Sequence, residues 1–276
     1  MKLARRQDGK TACVLVLLAT VMAVSAQGQR RPGGGGPGRN PTNVAGATEF
    51  EVNNVPYDGR FAFIRLRFTP ARTGYGGGGG YFGGINYQWD HDYDRADRHF
   101  MTILNELTAI GVSRGSNIIA IGSPELFRYP LAYMCEPGWW TQTDEEAANL
   151  RSYLAKGGFL IFDDFAGPSA LGNFEMQLLR VLPGARLVQL DIRHPIFHSF
   201  FEIPNLNFTH PYMGMPSVFL GVYEDNDPSK RLLLIANYNN DISEPWEWSD
   251  TGLFPIDVSN DAYKLGINYV VYSMTH

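Results

Sequence analysis

Apolar and polar positions change their period along the chain, and the changes mark out alternating strands and helices. Residues 61–68 (FAFIRLRF) read as a strand, with an apolar face that includes Phe61 and Phe63 alternating against Arg65 and Arg67. Over 96–110 the apolar positions Phe100, Ile103, Leu104, Leu107 and Ile110 recur at helical spacing, and Gly111 stops the run. Residues 117–121 (NIIAI) predict a buried strand closed by Gly122-Ser123-Pro124, and 131–134 a second short one. Thr143 with Glu146 three residues on is a capping box, and the acids around it sit at the positive end of the helix dipole. That helix shows Leu150, Tyr153 and Leu154 on one face and ends at Gly157-Gly158.

Residues 159–162 (FLIF) follow at once as a wholly apolar strand, the pattern of a strand buried on both faces of a parallel sheet, and they run into Asp163-Asp164. A helix over 174–182 and a strand over 186–190 come next. Strands over 218–223 and 232–236 flank the turn-rich segment 224–230 as an antiparallel hairpin, and 261–274 reads as a closing amphipathic helix. The expected fold is α/β, a mostly parallel sheet with helices on both faces and a C-terminal antiparallel hairpin.

Composition adds limits. At 44% hydrophobic and 13% aromatic residues the chain can bury a real core, which excludes wholesale disorder. A formal charge of −5 argues against nucleic acid as a partner. Lys2, Arg5, Arg6 and Lys10, the apolar run over 11–24 and Val24-Ser25-Ala26 have the layout of a cleaved secretory signal over 1–26. The chain is therefore expected to be exported, periplasmic or extracellular, with Gln27 as its mature N-terminus. Four basic residues leave with the leader and only one acid, Asp8, so the remainder is more acidic still. It keeps one cysteine, Cys135, which excludes an internal disulfide, and it contains no other run able to span a membrane. Residues 27–48 are a Gly/Pro-rich flexible linker, and 49–276 form a single α/β domain. A glycine cluster around Gly76–Gly80 lacks the Gly-Lys-Ser/Thr of a phosphate loop and reads as a surface loop, its role open.

Several constellations are candidates for chemistry. Asp163 and Asp164 stand at the carboxyl end of a strand, where open parallel sheets bind ligands, and can hold a cation or share a proton. Arg65 or Arg67 could instead neutralise them. The stretch His91 to His99 is the densest in titratable groups, with Asp92 and Asp94 as candidate ligand-binding residues. Arg95 and Arg98 interleave with its acids, Asp97 suits a helix N-cap, and its spacing matches no metal signature. His194 and His198 are four apart but sit among Ile196, Phe197, Phe200 and Phe201, without the glutamate of a zinc protease. Tyr133, Trp139 and Trp140 form an aromatic group suited to stacking on a saccharide or peptide, or to packing. Cys135 does not lie in a G-x-C-x-G elbow, and Gly122-Ser123-Pro124 lacks the residues that should follow the serine in one.

The blocks DYDRADRHF, YPLAYM, EEAANLRSYLAKGGFLIFDDF, RLLLIANYNNDI and LGINYVVY, spread over about residues 60–274, together resemble a bacterial family, domain of unknown function 4159. The resemblance implies a class I glutamine-amidotransferase-like fold, related to flavodoxin-like sheets and to trehalose-utilisation-type domains, and no set activity. In true amidotransferases the strand after the Gly-Gly turn ends in a nucleophilic cysteine, whereas here it ends in Asp163-Asp164-Phe165. His194-Pro195 resembles the His-Pro pair of the trehalose-utilisation-type relatives, which makes His194 a catalytic candidate beside Asp163 and Asp164. The expectation is a ligand-binding or interaction module of the cell envelope without glutaminase chemistry, with an envelope saccharide or protein as partner. No cofactor and no definite metal site are implied. The alternative is a carboxylate- or metal-dependent hydrolase acting on envelope saccharide or peptide.

Overall fold

A computed structural model of the protein describes residues 54–71, 88–113 and 115–276, all within the unit Gly36–His276. The expected leader, the linker and the glycine cluster lie outside the described residues. The strands are β1 (Ile64–Arg67), β2 (Thr69–Pro70), β3 (Asn117–Ala120), β4 (Leu131–Cys135), β5 (Trp140–Thr141), β6 (Phe159–Phe165), β7 (Val188–Gln189), β8 (Val218–Tyr223) and β9 (Leu232–Tyr238). The helices are α1 (Arg95–Leu107), α2 (Asp144–Ala155), α3 (Gly167–Val181), α4 (Ser243–Glu247) and α5 (Ile256–Thr275).

Seven strands make one sheet in the order β3-β1-β4-β6-β9-β8-β7. The first five are parallel; β8 runs antiparallel to β9, and β7 to β8. Taken in chain order, the parallel strands stand 2-1-3-4-5, the flavodoxin-like winding. β2 and β5 form a separate antiparallel ribbon. The mixed α/β fold expected from the periodicity, with its parallel centre and C-terminal hairpin, is the observed one.

Alternation along each strand divides the core in two. On one face Phe63, Tyr133, Phe159 and Ile161 pack with Phe100 and Leu104 of α1, Trp246 of α4 and Tyr269 of α5. On the other, Ile64, Leu66, Met134, Leu160 and Phe162 pack with Leu150 and Leu154 of α2 and Phe174 and Leu178 of α3. Each such side chain contributes about 1.5–3 kcal/mol by leaving water. The capping box of α2 is closed in both directions: the Glu146 N–H donates to Thr143 Oγ1 at 3.2 Å and the Thr143 N–H to Glu146 Oε2 at 2.7 Å.

Arg65 corrects the expected face of β1. A period of two puts residues 61, 63 and 65 on the same side, and Arg65 is fully buried there beside Phe63. It is tolerated because Asp97 of α1 meets it at 2.6 Å and the carbonyls of Trp89 and His91 accept from Nη1 at 3.3 and 2.8 Å. Some element boundaries also move. α1 closes at Thr108, whose N–H and hydroxyl both bond to Leu104 O, three residues before Gly111. α3 starts at Gly167, with Pro168 in the first turn where a missing N–H costs nothing, and α5 starts directly after Pro255. Only Val188–Gln189 of the expected strand over 186–190 pairs. Among the described residues, no helix is long and apolar enough to cross a membrane.

Candidate metal centre

Beyond the carboxyl edge of the sheet, four chain segments converge. β4 ends in Cys135 with Glu136 next in the chain, β6 carries Asp163-Asp164, β9 leads through Asn239 and Asp241 into α4, and the segment before α1 brings in His91-Asp92. The chain turns sharply at each: Asp92, Glu136, Asp164 and Asn239 have φ of 63°, 46°, 56° and 56°. Left-handed backbone at a non-glycine residue costs about 1–3 kcal/mol and gathers at functional sites. In β6 the register also shifts between Phe162 and Phe165, so two consecutive aspartates face different surroundings.

Asp163 is a buttress. Its Oδ1 accepts from Asn237 Nδ2 at 2.9 Å, and its Oδ2 accepts from the Tyr133 hydroxyl at 2.9 Å and from the Ile242 and Ser243 N–H groups at 3.0 and 3.3 Å. It ties the start of α4 to the sheet. Burial pushes its carboxyl up to about 7.

Asp164 belongs to the site. Its Oδ2 lies 2.7 Å from His91 Nδ1 and accepts from Cys135 Sγ at 3.7 Å. Burial works to raise this carboxyl, yet the hydrogen bond and charge of His91 carry it below the ordinary range. His91 in turn is held well above its usual value: burial opposes this, and the charge of Asp92 with the Asp164 hydrogen bond overcomes it. Glu136 is 3.7 Å from His91, and burial with the charge of Asp164 pushes it up to about 8. Burial and the charge of Asp92 push Glu244 up to about 7. The Cys135 thiol is raised by burial and by Asp164. Arg65 is ion-paired with Asp97 at 2.6 Å, and its charge offsets only part of the rise at Cys135.

Two sets of donors are compact enough to hold a metal ion. His91, Asp92, Cys135 and Asp164 offer atoms within 4.8 Å of one another, and so do His91, Asp92, Asp241 and Glu244. Imidazole nitrogen, thiolate sulfur and carboxylate oxygen are the ligands of zinc and related ions. Asp92 has a side chain 1% exposed, and its buried Oδ1 makes no hydrogen bond, lying 3.5 Å from His91 Nδ1. Among the described residues its nearest cationic partner is that imidazole, which a metal ion held by the same groups would replace. Its Oδ2 accepts from the Ser243 hydroxyl at 2.7 Å, and Ser243 lies 2.8 Å from the Tyr133 hydroxyl. That chain of hydroxyls aims Asp92, as supporting groups do around metal ligands.

The other candidates from the sequence are dispersed. Asp94 is the N-cap of α1, pairing with Arg98 at 3.4 Å. Tyr133 and Trp140 are fully buried, Trp140 stacked on Phe162, and only Trp139 of the three is exposed, so they make no common stacking surface. His194 packs on Tyr223, which pairs with Leu232 at the start of β9, so it sits at the edge of the sheet opposite Asp163 and Asp164. His198 bonds locally to Glu202 and the Ile192 carbonyl. Sequence reasoning misses Asp241 and Glu244 outright and sees Cys135 only as a rejected nucleophile. His91 carries a signal, its place in the densest titratable stretch.

Fold and site together define a flavodoxin-like α/β domain with a carboxylate-histidine-thiol centre at the carboxyl edge of its sheet. The model of the family described as Domain of unknown function (DUF4159) matches residues 71–274, and the chain belongs to that family. No curated protein matches the chain significantly.

Proposed function

We propose that the protein is an exported, divalent-cation-dependent hydrolase on a class I amidotransferase-like scaffold, without glutaminase chemistry. The observation that carries this reading is the set His91, Asp92, Cys135 and Asp164, whose donor atoms lie within 4.8 Å of one another. A divalent cation held there supplies Lewis acidity and an activated water near neutral pH. Asp164, His91 and Glu136 keep side chains 12%, 19% and 19% exposed, which gives a small substrate a way in. Glu136 stands beside His91 outside both ligand sets, placed to take or give a proton. Cys135 is fully buried and hydrogen-bonded to Asp164, which suits a ligand rather than an exposed nucleophile. The 2-1-3-4-5 strand order supports the scaffold, and the basic, apolar and small-residue run of 1–26 supports export toward envelope saccharide or peptide.

A second reading keeps the cation and drops the reaction. Full burial of Cys135 and near-full burial of Asp92 favour a closed structural centre in a binding or interaction module. Thermal shift with Zn2+, Mn2+, Ca2+ and Mg2+, followed by a panel of chromogenic glycoside, peptide and ester substrates, tests both. A cation-dependent Tm rise with hydrolysis supports the enzyme, and a Tm rise without hydrolysis supports the module. No shift with any cation overturns both.

A further inference from the structure

We infer that the centre takes two divalent cations of different character, bridged by Asp92: a thiophilic ion such as Zn2+ and an oxygen-seeking ion such as Mn2+. This rests on the cation-dependent reading above and goes beyond it.

The six donor residues form two sets that share His91 and Asp92. One imidazole nitrogen binds one ion. His91 Nδ1 already lies 2.7 Å from Asp164, so His91 belongs with Asp164 and Cys135. That lobe offers nitrogen, sulfur and oxygen, a zinc-type set. The other lobe keeps Asp92, Asp241 and Glu244, three carboxylates and nothing softer, the donor type of Mn2+ or Mg2+. Asp92 is the carboxylate common to both sets, with two oxygens to share. Its Oδ1 makes no hydrogen bond, and its Oδ2 is steered by the Ser243 hydroxyl.

Charge points the same way. As ligands, Asp92, Cys135, Asp164, Asp241 and Glu244 would give up any protons they hold, and two divalent ions match the resulting five negative charges more nearly than one. The nearby buried guanidinium of Arg65 is committed to Asp97 at 2.6 Å. Asp241 Oδ1 accepts the Glu244 N–H at 2.9 Å, which holds both acids of the second lobe on one turn of chain.

The test is metal stoichiometry on the full chain. Protein stripped with chelator is equilibrated with Zn2+ and Mn2+ together, freed of excess, and analysed for both elements. One zinc and one manganese per chain is the expected result. Cys135→Ser should weaken zinc at least about tenfold and leave manganese bound, Glu244→Gln the reverse, and Asp92→Asn should weaken both. Co2+ in place of zinc should show a thiolate charge-transfer band that Cys135→Ser removes and Glu244→Gln keeps. A total of one ion per chain overturns the pair while leaving the cation-dependent reading intact. No bound ion overturns both. The wild-type stoichiometry decides the matter even where a variant fails to fold.

Discussion

Replacing Arg65 with Met separates the two tasks this buried side chain performs. Arg65 is fully buried, bonds to Asp97 through Nη2 at 2.6 Å and through Nε at 3.4 Å, and lies over the Tyr133 ring at 5.0 Å. Methionine fills much of the same space but strands the Asp97 carboxylate, which is itself fully buried. Breaking one side of a buried pair costs about 3–5 kcal/mol, which for a domain of this size lowers Tm by about 6–20 °C. Arg65→Met/Asp97→Leu removes both charges and should recover about 2 kcal/mol or more of that loss. The Arg65 bonds to the Trp89 and His91 carbonyls are lost in both variants, so the His91 segment remains loosened. Stability should therefore return in the double variant while cation affinity does not. Urea and thermal unfolding followed by circular dichroism, with calorimetric titration of Zn2+, measures both quantities. A single variant that loses less than about 1 kcal/mol, or a double variant no more stable than the single, would refute the reasoning.

Without added cation, Tm should fall as pH rises from about 5 to about 8.5. Glu136 is pushed from 4.5 up to about 8 by burial and the charge of Asp164, so the folded chain keeps a proton that the unfolded chain releases. That stabilisation is complete below the unfolded pKa and is lost as pH passes the folded one; His91, raised well above its usual value, acts in the same direction. Melts at the two ends of the range check this, and a Tm that rises with pH contradicts it. Thr143→Ala opens the capping box of α2 and should cost about 1 kcal/mol with cation binding unchanged, as chemical denaturation and titration will show. Gly266→Ala would put a Cβ 2.5 Å from a Trp246 ring carbon and 2.6 Å from Phe100. Overpacking of about 1–3 kcal/mol should outweigh the gain in helix propensity, so a more stable variant in the same assay counts against the packing described for α4 and α5.

Local signals in the sequence are read well where their partners are also local. The capping box, the Gly-Gly stop and the apolar FLIF run place α2 and β6, and the turn-rich segment between two apolar runs places the β8–β9 hairpin. Arg65 is misread because its partner is 32 residues away, and nothing near it marks the residue as paired. α3 begins seven residues before Phe174, the first residue of the expected helix, because Gly167, Pro168 and Gly172 look like a loop until the first-turn preference of proline is counted. In the site, the topological rule leads to the Asp163-Asp164 pair but cannot say which of the two is a buttress; the register shift in β6 makes that division. Asp241 and Glu244 sit beyond a different strand, and their approach to Asp92 exists only once β6 and β9 pair.

Zinc-edge X-ray absorption on the full chain loaded with one equivalent of Zn2+ tests the centre most directly. A single sulfur scatterer at about 2.3 Å, from Cys135, is expected, with nitrogen and oxygen neighbours at about 2.0–2.1 Å. In Cys135→Ser the sulfur shell should vanish while the lighter shell remains. An all-oxygen shell in the wild type, or sulfur scattering that survives Cys135→Ser, would contradict a centre built from His91, Asp92, Cys135 and Asp164.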